Sequence, residues 1–264
     1  MATRIWYQSM TPLAHLPNYR QAIEDCAART CSPGVEVSVN GVSAALYRDR
    51  APADVLKYAY GKLVGQLEVI DICRKAEADG FSAVVLGSFS EPFLTEIRSL
   101  LQIPVVSLAE ASFLVARSLA AEPVALITIA APNAKRLRGL VRRHGFDNHV
   151  SAVLHLQTAA TETDLNAALA TPQAVAADFA AVATGAIEAG ADVVIPAEGL
   201  LNLIVHRSGL KTIGQATILD SVAVSLLYAE LLINLRERVG NAVGRRWGYA
   251  TPPAALLADL AKFC

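Results

Sequence analysis

Apolar residues along the chain alternate between short unbroken runs and longer stretches with helical spacing. Runs at Ile5 to Met10, Val35 to Val39, Ala83 to Leu86, Ile103 to Leu108, Val124 to Ile129, Val150 to Leu156 and Val193 to Ile195 read as strands, and Lys211 to Gly214 as a last short one. Most lack polar alternation, the mark of parallel strands covered on both faces. Between them, Asn18 to Arg29 and Asp54 to Ala78 read as helices, the latter with apolar residues at Leu56, Tyr60, Leu63, Leu67 and Ile70. Further helices are expected from Pro92 to about Leu101, from Glu110 onward, from Asn133 to His144, from Thr171-Pro172 through Phe179, Val182, Ala186 and Ile187, and from Ser221 to Arg236 behind an Asp220 cap. Regular alternation of strand and helix predicts an α/β fold with parallel sheets flanked by helices.

One arrangement occurs twice. Gly80-Phe81-Ser82-Ala83-Val84-Val85-Leu86-Gly87-Ser88-Phe89-Ser90-Glu91-Pro92 and Gly190-Ala191-Asp192-Val193-Val194-Ile195-Pro196-Ala197-Glu198-Gly199-Leu200 each carry a glycine, a buried strand and a small-residue turn with an acid. Ligands of α/β sheets bind at the carboxyl ends of strands, where turns present N–H groups and helix N-termini. Gly87 to Pro92 and Pro196 to Leu200 are therefore expected to form two walls of one site. Gln8 and Ser9, at the exit of the first strand, and Thr128 and Asn133, at the turn after Val124 to Ile129, are the further candidates for substrate binding. Thr11-Pro12 serves equally well as ordinary loop chemistry. Glu91 suits either the site or a cap for the helix beginning at Pro92, and Glu110 either the site or a first-turn acid favoured by the helix dipole. Asn133 is a candidate helix cap as well.

Composition narrows the function. The chain has 264 residues, 53% hydrophobic and 18% charged, with a net charge of -1. Such a balance gives no global field for nucleic acid or an anionic membrane. The basic cluster Lys135, Arg136, Arg138, Arg142 and Arg143 reads as a solvated helix face. Ser221 to Leu235 is apolar but short for a bilayer span and contains Glu230. Cys26, Cys31, Cys73 and Cys264 make no CxxC pair, so free thiols and a cytoplasmic location are expected, with no metal site. His144 suits the last turn of its helix and His155 a packing role. The tail residues Arg245-Arg246-Trp247 and Pro252-Pro253 are expected to pack on a partner subunit. Walker A, GxGxxG, HExxH and GxSxG patterns are absent, leaving nucleotide, nicotinamide and zinc-hydrolase chemistry without a motif.

At the paired turns the chain resembles the aspartate/glutamate/hydantoin racemase superfamily, nearest its hydantoin racemase branch. The resemblance runs from the opening strand through Gly87-Ser88-Phe89-Ser90-Glu91-Pro92 and Ile103-Pro104-Val105-Val106-Ser107-Leu108-Ala109-Glu110-Ala111 to Gly190–Gly199 and Ile218-Leu219-Asp220-Ser221. It implies two pseudo-symmetric Rossmann-like lobes, residues 1–109 with 218–264 and residues 110–217, with the site in the cleft between them. It also implies no cofactor and a homo-oligomer. Racemases of this family use two cysteines, one per turn, as opposed acid and base. Here the first matches Ser88 and the second Ala197, with Glu198 beside it. A thiol titrates near ~8.5, whereas a serine hydroxyl accepts a proton only when another group activates it.

Glu198 is then the candidate base, its pKa raised at the end of a buried strand, unless it only caps the turn or meets a buried arginine. Ser88, Phe89, Glu91, Ala197, Gly199, Thr128 and Asn133 would surround the substrate. The leading expectation is a cofactor-independent isomerase or epimerase that moves a proton on a small carboxylate or hydantoin-like cyclic amide. A hydrolase or lyase on the same scaffold is the alternative, with Glu198 activating water or Ser88 attacking a carbonyl. A binding protein that kept the cleft and lost the chemistry is the third.

Overall fold

The computed structural model describes residues 2–48, 50, 52–260 and 262, so that Cys264 lies outside the described residues. In chain order the first half comprises β1 (Thr3–Gln8), α1 (Pro17–Thr30), β2 (Val35–Asn40), α2 (Pro52–Leu56), α3 (Ala59–Ala78), β3 (Ala83–Leu86), α4 (Leu94–Leu100), β4 (Val105–Ser107) and α5 (Leu108–Leu119). The second half follows with β5 (Val124–Thr128), α6 (Ala131–Arg143), β6 (Val150–His155), α7 (Glu162–Ala168), α8 (Gln173–Glu188), β7 (Val193–Pro196), α9 (Gly199–Arg207), β8 (Thr212–Ile213) and β9 (Ala216–Ile218). The chain ends with α10 (Ser221–Asn234) and α11 (Ala254–Leu260).

The strands form two sheets, ordered β2-β1-β3-β4 and β6-β5-β7-β9-β8. All pairs are parallel except β8 with β9. Position for position, β1, β2, β3 and β4 match β5, β6, β7 and β9, an internal pseudo-symmetry. β3 and β7 are buried at every residue, as their unbroken apolar runs require. The largest core cluster joins both sheets: Tyr7, Val85, Leu126 and Ile195 belong to it with Phe113 of α5 and Leu226 of α10. Separate clusters cover the outer faces, around Val69 and Ile97 on the first sheet and Phe179 and Val205 on the second.

Several local expectations are corrected. Residues 54–78 are two helices, because Tyr58 is extended and Gly61 lies so close to Val55 that a Cβ there would sit 2.3 Å from the Val55 carbonyl oxygen. α7 and β9 carry no clear apolar pattern in the sequence; β9 is the return strand of a hairpin turned at Gly214, whose φ is +58°. Asn133 does not cap α6, whose N-cap is Ala130 without a side-chain bond. Arg245 packs on its own chain, donating to the carbonyls of Arg98, Ser99 and Leu101 at the end of α4 and to that of Tyr249. Trp247 is 78% exposed. Asp220 does cap α10, accepting from the Ala223 N–H. Cys26 and Cys73 are buried free thiols that burial pushes up to about 12, inert at neutral pH. No described helix is long and apolar enough to cross a membrane.

Candidate active site

β3 and β7 deliver the two turns to the same place. Gly87 donates its N–H to the Gln8 carbonyl of β1, and Ala197 donates to the Ile127 carbonyl of β5, so the two turns leave equivalent strands in equivalent registers. That equivalence pairs Gly87 with Ala197 and Ser88 with Glu198. Within the internal repeat of this fold, Glu198 thus holds the place that Ser88 holds in the other half.

The turns converge. A Cβ added to Gly199 would lie 3.5 Å from the Gly87 carbonyl oxygen and 2.5 Å from the Tyr19 hydroxyl. A cleft of about 350 Å³, open mouth included, runs between them, and Ser88 and Glu198 both line it with Ser9, Thr11, Tyr19 and Glu162. Its remaining lining is Met10, Leu16, Gly87, Leu165 and Leu200.

Glu198 has two relations at once. As N-cap of α9 its Oε2 accepts the Leu201 N–H at 2.9 Å, which is the structural role weighed for it from sequence. Among the described residues it meets no arginine or lysine. Burial raises its pKa, with the backbone N–H groups of Leu201 and Leu200 pulling the other way. Ser88 bonds within its own turn, its Oγ 3.0 Å from that of Ser90 and accepting the Ser90 N–H. Ser9 Oγ is 3.1 Å from Thr11 Oγ1.

Other expected site residues do not reach the cleft lining. Gln8 is fully buried and its amide is spent on the Trp6 indole N–H and the Ser9 carbonyl. Phe89 and Ala197 are core residues of the central cluster. Thr128 is buried with its hydroxyl unpartnered, the pseudo-symmetric counterpart of Ser9 without its access. Asn133 accepts from Arg136 on α6. Gly199 lies behind the wall, against Tyr19.

Glu91 is neither cap nor lining residue. Its carboxylate accepts from Ser107 and sits 2.7 Å from His144 Nε2 and 3.4 Å from an Arg143 nitrogen, tying the Ser88 turn to α6. The tie holds Glu91 and Phe93 in the left-handed region, at φ +34° and +56°. Glu110 likewise is structural, clamped by Arg98.

Three groups around the site carry no signal in the sequence. Tyr7 and Tyr19 are buried phenols that burial keeps well above the ordinary range, so both stay neutral beside Glu198. Glu162 reads in sequence as one more acid after the Thr161 cap, and only the fold brings it to the cleft. Among the described residues no cluster of His, Cys, Asp or Glu is arranged to hold a metal ion.

The Asp/Glu/hydantoin racemase family model matches residues 10–228. Two allantoin racemases are similar in structure: that of Klebsiella pneumoniae, at 21% identity over 95% of this chain and 94% of its own, with a TM-score of 0.74, and that of Pseudomonas fluorescens, at 20% identity over 95% and 97%, also 0.74. A glutamate racemase from Bacillus anthracis is similar at 13% identity over 89% and 83%, with a TM-score of 0.59. At such identities the likeness shows the fold. No curated protein matches the chain.

Proposed function

The chain belongs to the Asp/Glu/hydantoin racemase family, and on that premise we propose that it is a cofactor-independent isomerase that moves a proton at a carbon next to a carbonyl. Glu198 is the group that takes the proton, and Ser88 orients the substrate. The observation that supports this is the convergence of two equivalent turns on one cleft, with a carboxyl group of raised pKa standing at the second of them. A carboxyl whose ionised form is disfavoured by burial is a stronger base once it ionises, which is what abstraction from carbon requires.

Charge selects among substrates. Among the described residues the cleft lining contains two glutamates and no Lys, Arg or His. A free carboxylate substrate would enter without a counter-charge, whereas a neutral cyclic amide brings N–H donors that suit carboxyl and hydroxyl acceptors. The hydantoin ring therefore fits better than an amino acid. Allantoin, the substrate named for two similar structures, is the first compound to try.

The measurement is proton NMR in deuterium oxide with allantoin and 5-monosubstituted hydantoins. Loss of the C5 proton signal is expected at a protein-dependent rate well above the spontaneous exchange. Ring opening without prior exchange would instead assign a hydrolase. If neither reaction exceeds the protein-free control across the series, the cyclic-amide reading fails.

A further inference from the structure

Glu162 shares the cleft with Glu198, and its surroundings suit an ionised carboxylate poorly. Its Oε2 is closed to solvent, and among the described residues it has no hydrogen-bond partner and no cation lines the cleft. An unpartnered buried carboxyl oxygen on a residue that lines a cleft marks a place built to meet a ligand. Two carboxyl groups in such a setting cannot both ionise cheaply, since each charge raises the cost of the other and nothing neutralises them.

We propose that Glu162 and Glu198 work as a carboxyl pair holding one proton between them, which makes Glu162 the second proton-transfer group of the site. The inference rests on the proton-transfer reading above and extends it. The titratable groups facing Glu162 are Glu198 at the start of α9, Tyr19 from α1 and Tyr47 from the segment before α2, acids or neutral phenols all. Burial, then the charge on Glu198, pushes Glu162 up to about 7. With a value of about 7, Glu162 exchanges its proton readily at neutral pH, so the pair can hold a single proton there.

The pair balances the reaction. Glu198 as carboxylate takes the proton from the substrate carbon, the C–H electron pair moves into the new carbon–carbon double bond, and the carbonyl π pair moves to oxygen. When the carbonyl re-forms, the double-bond electrons take a proton from Glu162 back to carbon. One turn leaves the proton on Glu198 and the charge on Glu162, so the spent pair is ready for the reverse reaction or for exchange with water.

Protein labelled with carbon-13 at the glutamate carboxyl carbons is titrated by NMR from pH 4 to 9 as wild type, Glu162→Gln and Glu198→Gln. One carbon of the wild type should show a midpoint near 7. That signal should vanish in Glu162→Gln and move down toward 4.5 in Glu198→Gln. A midpoint that stays put in Glu198→Gln, or the absence of any high-titrating glutamate carbon, overturns the pair. These outcomes are independent of deuterium exchange, so a Glu198→Gln variant that still exchanged substrate would sink the earlier reading and leave the titration to be judged on its own.

Stability supplies a second readout. Since the folded value lies above the ordinary 4.5, the contribution of Glu162 is full below that pH and is lost as pH rises through about 7. Glu162→Gln should remove this decline and raise the urea midpoint relative to wild type at pH 8 but not at pH 4. Parallel pH curves for the two proteins would count against the pair.

Discussion

In the Glu198→Gln variant, exchange at the substrate carbon should fall by about 10²- to 10⁴-fold, the range that a positioned acid or base contributes, while the protein stays folded. The substitution separates the two duties of the residue. A glutamine carbonyl oxygen can still accept the Leu201 N–H at the start of α9, so the helix keeps its cap. The amide cannot take a proton from carbon. Burial already disfavours the ionised carboxyl, so stability at neutral pH should be unchanged or higher. Ser88→Ala serves as the comparison: the hydroxyl is bonded within its own turn and should cost far less in rate. Equal losses for the two variants, or an unaffected Glu198→Gln, would remove Glu198 from the chemistry.

Gly87→Ala is expected to be the more damaging change to the fold. A Cβ at this position would stand 2.4 Å from two ring carbons of Tyr7 and 2.6 Å from its hydroxyl. Tyr7 is fully buried in the central cluster and cannot swing away. Overpacking of this kind costs about 3 kcal/mol, a fall in Tm of roughly 5 °C for a chain of this length. Gly199→Ala provides the contrast. Its Cβ would meet the far end of Tyr19 at 2.5 Å, and Tyr19 borders the cleft, so the ring has space to move into. That variant should lose less stability and more substrate binding. Thermal unfolding of both proteins tests the pair, and a Gly87→Ala protein as stable as wild type would show that the wall at Tyr7 is soft.

The fold was legible because its strands declare themselves. β3 and β7 are buried on both faces and bounded by glycines with positive φ at Gly80 and Gly190, a pattern with few other readings. The convergence of Ser88 and Glu198 followed from the same repeat. What escaped was set by tertiary contact. Tyr7 and Tyr19 look like ordinary core aromatics in sequence, and only the two glycine gaps at Gly87 and Gly199 show where their hydroxyls go. Glu162 carries a helix-start signature, and its place at the cleft depends on how α7 packs on α1 and α9. Glu91 too is set by tertiary contact. Its sequence position marks it as a turn acid, but Ser107 and His144 reach it from elements 16 and 53 residues away.

The two turns occupy matching places in a frame that repeats itself, yet one ends in a hydroxyl and the other in an acid, with the second acid also drawn from the later half of the chain. Of the turns themselves, a flat intermediate lodged between them meets a proton source at one and a poor one at the other, so delivery to the second face falls to Glu162. In Glu162→Gln, hydrogen should return more often to the face it left than to the opposite face, so that isotope wash-in outruns loss of optical rotation. Handedness in this protein is then governed by which side of a near-twofold frame kept the titratable group.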